Sequence, residues 1–88
     1  MREILLMVAY TERPLANYLI DCSWHLCPVP ILMTQEKLET LKESDILEVV
    51  YTDPGAKPDL EAWCRVNGQV LLEFEETKSK SSAFIRKV

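Results

Sequence analysis

From Tyr18 onward the apolar positions alternate between two periods, one of about two residues and one of about three and a half. "NYLIDC", residues 17–22, is a short strand candidate. Ile31, Thr34, Leu38 and Leu41 then recur at helical spacing, and "LKESD" closes that helix with polar residues. "ILEVVYT" sets Leu47, Val49 and Tyr51 against Ile46, Glu48 and Val50, the pattern of a strand that is apolar on both sides. "TDPGAKPD" follows as a turn-rich loop. Leu60, Trp63 and Cys64 share one face of a short helix that Gly68 is placed to end. "QVLLEFEE" alternates Val70, Leu72 and Phe74, "TKSKS" is a polar turn, and "SAFIRKV" is a last strand.

The order is strand-helix-strand-helix-strand-strand. A right-handed crossover makes the first two strands parallel, and the last pair is most simply an antiparallel hairpin. The pattern therefore predicts an α/β fold: a two-layer α/β sandwich, βαβαββ, whose four-stranded mixed sheet carries two helices on one face. Residues 17–88 form this domain. Residues 1–16 are an N-terminal extension, in which "EILLMV" is expected to add an edge strand.

With 88 residues there is room for one small domain with a continuous core. Of these residues 48% are hydrophobic and 27% charged, and the net charge of −4 argues against non-specific binding to nucleic acid or to an anionic membrane. No apolar run approaches the ~18 residues of a membrane-spanning helix. "ILLMVA" is a short signal-peptide-like core, but Glu3 offsets Arg2 and no small-x-small cleavage site follows, so a cytoplasmic location is expected. Three cysteines are an odd number at irregular spacing, which is not a disulfide framework.

The chemistry concentrates in "CSWHLCPVPIL", residues 22–32. Proline is tolerated in the first turn of a helix, where its missing N–H has no intrahelical role, and is not tolerated one turn later. Pro28 and Pro30 are jointly acceptable only if the helix starts right after Cys27, with Pro28 at its first position and Pro30 at its third. The thiol of Cys27 then faces the positive end of the helix dipole, where thiol pKa values fall from ~8.5 to ~3.5–7.5. The Val29 N–H is expected to be left facing Cys27, and the two proline rings to form a hard apolar edge. A purely structural helix start would favour Ser, Thr, Asp or Asn over Cys.

These features resemble the TusA (SirA-like) family of small sulfur carriers, whose hallmark Cys-Pro-x-Pro is present as Cys27-Pro28-Val29-Pro30. Asp21 six residues before the cysteine, "DPGA" at 53–56, "DL" at 59–60 opening the second helix and "FIRK" at 84–87 match as well. The resemblance implies a βαβαββ sandwich and a catalytic Cys27 that carries sulfane sulfur as a persulfide. It implies donor partners, cysteine desulfurases or rhodanese-type proteins. The acceptors it implies belong to tRNA thiolation, cofactor synthesis or sulfur oxidation, and the resemblance calls for no cofactor, metal or direct nucleic-acid contact. Trp24 and His25 stand where the family usually has Gly-Leu. A glycine there serves a backbone shape or a close partner approach, whereas a tryptophan is expected to fill space.

Other residues keep two readings. His25 is either a solvated loop residue or a group that stabilises the Cys27 thiolate. Trp24 is a local core plug or an exposed partner anchor. Leu32 and Met33 lie off the core stripe of the first helix: either they are ordinary exposed apolars, or with Val29 and Pro30 they extend a docking patch around Cys27, a partner surface to which Trp24 and His25 would also belong. Cys22 and Cys64 read as buried and inert, although a Cys22–Cys27 disulfide would instead make the protein a thiol-switch interaction module. Cys22, His25, Cys27 and Cys64 are weighed as a zinc set and set aside, because their spacing matches no common zinc pattern.

Overall fold

The computed structural model describes residues 16–26 and 28–88. Six elements follow in the expected order: β1 (Tyr18–Asp21), α1 (Val29–Leu38), β2 (Ile46–Tyr51), α2 (Ala56–Asn67), β3 (Val70–Glu76) and β4 (Ser81–Arg86). The sheet order is β1-β2-β4-β3. β1 pairs parallel to β2, with Tyr18 opposite Leu47 and Asp21 opposite Val50. β4 lies between β2 and β3 and is antiparallel to both. This is the two-layer sandwich that the pattern predicts, a four-stranded mixed sheet with two helices. The extra strand expected within residues 1–16 falls outside the described residues, apart from Ala16.

The core forms where the helices meet the sheet. Leu47, Val49 and Tyr51 of β2 and Ala83 and Ile85 of β4 point to Leu38 of α1 and to Ala56, Leu60 and Cys64 of α2. Burying each large aliphatic side chain of this set contributes about 1.5–3 kcal/mol. On the other face of β2, Ile46, Glu48 and Val50 are half-buried, and Phe84, paired with Glu48, is fully buried. Lys87 Nζ donates to the Leu38 carbonyl at 2.7 Å, placing a cation at the negative end of α1.

α2 and β3 differ from the pattern. α2 begins at Ala56, so half of the expected loop 52–59 is helix. Pro58 sits at its third position, where a missing N–H is harmless, and the helix opens before "DL" at 59–60. In β3 a bulge between Leu71 and Glu73 shifts the register against β4. The strict alternation of Val70, Leu72 and Phe74 is thereby broken. Leu71 and Phe74 pack against the core, while Leu72 is exposed.

Candidate functional site

The parallel pairing of β1 and β2 brings the loops that leave both strands to one edge of the sheet, and the β3–β4 turn reaches the same edge. The segment 22–28 is built there. Cys22 N–H donates to the Val50 carbonyl at 2.7 Å, extending the ladder by one bond. The chain then reverses in a turn closed by His25 N–H on the Cys22 carbonyl at 3.2 Å. Trp24, third of the four turn residues, has φ 67°, and Ser23 is not among the positive-φ residues. That is the geometry of a type II turn, whose third position favours glycine. Trp24 N–H is held by Thr52 Oγ1 at 2.8 Å, and Ser23 N–H by Asp21 Oδ1 at 2.9 Å.

This corrects the expectation that a tryptophan fills space. Trp24 keeps the backbone shape of a glycine, and its side chain is 78% exposed. A bulky residue in this region costs about 1–2 kcal/mol.

At the helix start, Pro28 is the N-cap residue, Val29 is the first residue of α1 and Pro30 is the second. Each proline is one place earlier than expected, and Pro30 stays within the first turn, where its missing N–H costs nothing. Val29 N–H donates to the Leu26 carbonyl at 2.9 Å across the position of Cys27, so it is not left to face the thiol. Pro30 is fully buried, and Pro28 alone supplies an exposed ring. Cys27 itself falls outside the described residues.

Around that position Trp24, His25, Leu26, Pro28 and Leu32 are exposed and Val29 is half-buried. Met33 does not belong to this surface. It is partly buried against the core beside Ile20, because α1 turns it toward the edge strand β1. Leu26, 72% exposed, and Thr52, which ties the loop to β2, were not singled out from the sequence. An isolated leucine carries no signal of exposure, and the role of Thr52 arises only where the two loops meet.

The electrostatics separate the thiols. Burial pushes the Cys22 thiol up to about 11, with the Asp21 charge adding to the shift, and burial alone pushes Cys64 up to about 11. Both are fully protonated and inaccessible near neutrality. The Ser23 hydroxyl and amide hold the exposed Asp21 carboxyl below its ordinary range, and Lys80 and His25 add smaller positive influences. Among the described residues no group of three His, Cys, Asp or Glu side chains is placed to hold a metal, and no helix is long and apolar enough to cross a membrane.

The backbone is that of a SirA-like domain. A crystal structure of the SirA-like protein from Desulfitobacterium hafniense superposes with a TM-score of 0.69 at 18% identity, covering 78% of this chain and 95% of that one. The sequence is more specific: residues 18–87 match the family described as Sulfurtransferase TusA, and the chain belongs to that family. It is 37% identical over 68 residues to a protein of Aquifex aeolicus named as a candidate sulfur carrier, a match that spans 77% of this chain. That match takes in only 34% of the Aquifex protein's length. Identity is 34% over 68 residues to the sulfur carrier protein TusA of Allochromatium vinosum, covering 77% of this chain and 90% of that protein.

Proposed function

We propose that this protein is a cytoplasmic sulfur carrier that accepts sulfane sulfur on Cys27 as a persulfide and passes it to an acceptor protein. The observation that carries this reading is the family match over residues 18–87, within which Pro28 caps α1 and Pro30 lies in its first turn. Cys27 thiolate attacks the outer sulfur of a donor persulfide. A new sulfur–sulfur bond forms at Cys27, the donor's own sulfur–sulfur bond breaks, and the donor cysteine leaves as a thiolate. An acceptor thiolate repeats the exchange in the other direction, so no net oxidant or reductant is needed.

The start of α1 favours the anionic sulfur through the helix dipole. Because the Val29 amide is engaged by Leu26, stabilisation rests on the dipole and not on that hydrogen bond. The exposed Trp24, Leu26, Pro28 and Leu32 are the apolar surface on which a cysteine desulfurase or rhodanese-type donor, and then the acceptor, would dock. The protein turns over no substrate alone. The burial of Cys22 and its raised pKa count against the thiol-switch reading, which needs that thiol to react.

The test is intact-protein mass after brief exposure to a cysteine desulfurase with cysteine, or to a rhodanese with its sulfur donor. Wild type and Cys22→Ala should each gain one sulfur atom that reductant removes, and Cys27→Ser should gain none. A gain that survives Cys27→Ser would overturn the assignment, and a gain lost in Cys22→Ala would restore the switch reading.

A further inference from the structure

A second feature occupies the same sheet edge, on the far side of Thr52 from Trp24. A cavity of about 250 Å³ lies between the end of β2, the entry to α2 and the β3–β4 turn. Its charged lining is Lys57, Lys78, Lys80 and Glu76. Lys57 Nζ stands 3.3 Å from Glu76 Oε2, so the one carboxylate is matched, and Lys78 and Lys80 remain as excess positive charge in a chain of net charge −4. Lys80 also lies near enough to Asp21 to act on its ionisation.

Tyr51 lines the cavity from below. It is 3% exposed, and its hydroxyl is buried with the Ser81 side chain as its nearest polar partner and without full hydrogen bonding among the described residues. Buried hydroxyls are nearly always paired, so one left with spare hydrogen-bonding capacity at the wall of a polar cavity has room for a ligand atom. Burial first, and then the nearby Glu76 charge, push this phenol up to about 12, with the Ser81 side chain offsetting part of the shift. At neutral pH the hydroxyl therefore keeps its proton and is available to donate it in a hydrogen bond.

A cation would meet the Lys78 and Lys80 ammonium groups here, and an apolar ligand would leave the hydroxyl's remaining capacity unused. A small anion with several acceptor atoms satisfies both. We propose that this cavity binds a tetrahedral oxyanion, phosphate or sulfate, free or as the phosphate group of a small metabolite, with the Tyr51 hydroxyl and the Lys78 and Lys80 ammonium groups as donors. The site is independent of the sulfur chemistry assigned to Cys27. It would be tested on the full chain and stands or falls without that assignment.

The experiment is an amide-resolved NMR titration at constant pH and ionic strength with sodium phosphate, sodium sulfate, glycerol 3-phosphate and, as reference, sodium chloride. Phosphate and sulfate are expected to give saturable shifts at Tyr51, Thr52 and residues 77–81 that chloride does not give. Tyr51→Phe, which keeps the ring and the core packing, should weaken that binding about fivefold or more, as should the Lys78→Gln/Lys80→Gln double variant, whose substitutions are on the exposed turn. Tighter binding of glycerol 3-phosphate than of phosphate would assign the site to esterified phosphate, and equal or weaker binding to the free anion. Equal shifts with chloride, or phosphate binding unchanged in Tyr51→Phe, would overturn the proposal.

Discussion

Three described residues, Trp24, Ser44 and Gly68, adopt a left-handed φ, and the first and last fill that conformation in opposite ways. After α2, Gly68 has φ 73°, and its N–H caps the Cys64 carbonyl. Before α1, Trp24 has φ 67°. At Gly68 the requirement is structural, and the residue without a Cβ meets it at no steric cost. At Trp24 the same backbone is kept with a large side chain that returns nothing to the core, since most of it lies in solvent. Strain retained for an exposed aromatic is consistent with the partner-docking role proposed for Trp24. The comparison teaches that the same backbone demand can be met without a glycine: at Trp24 the Thr52 acceptor and the Asp21–Ser23 bond hold the turn in place.

The largest effect expected from breaking this contrast is functional. Trp24→Gly should slow sulfur transfer from a donor protein by about thirtyfold, the loss typical of an aromatic anchor at an interface. It should also raise unfolding stability by about 1 kcal/mol as the left-handed strain is relieved. Single-turnover transfer and urea unfolding read the two quantities separately, and an unchanged transfer rate would remove Trp24 from the docking surface. Next in size, Gly68→Ala should destabilise the fold by about 1 kcal/mol in urea while leaving transfer untouched. No atom lies within 4 Å of the added Cβ, so the cost is conformational and not a clash.

The smallest effect concerns Asp21, which anchors the turn from its other end. Its carboxyl is held below its ordinary range in the folded protein, so it stabilises the fold above the pKa it has when unfolded. That contribution is lost as the pH falls through the folded value. Asp21→Asn should therefore lower stability slightly at neutral pH and flatten the acid limb of a stability–pH curve below about pH 4. An acid limb identical to wild type would show that the Asp21–Ser23 bonds contribute nothing to the turn.

Much of the molecule was legible one residue at a time. The element order, the parallel first pair and the start of α1 follow from apolar periodicity, from the handedness of crossovers and from the local sterics of Pro28 and Pro30. These are short-range constraints, present in the chain before it folds. The inert character of Cys22 and Cys64 was legible for a related reason, since each sits among apolar positions of a strand end or a helix face. The β3 bulge was not, because the extra residue is defined only by its partner strand. The burial of Met33 and Pro30 depends on how α1 is rotated against β1.

The sequence by itself determined the sandwich and the place of Pro28 and Pro30 at a helix start, because periodicity and proline sterics act locally. Only the tertiary structure decided that Trp24 stands out in solvent on a glycine-like backbone and that the Val29 amide is already engaged by Leu26. It alone gathered the lysines of a polar turn around the buried Tyr51 hydroxyl. Each of these depends on groups far apart in the chain, Trp24 with Thr52 and Tyr51 with Lys78 and Lys80, which meet only when the sheet brings its loops to one edge.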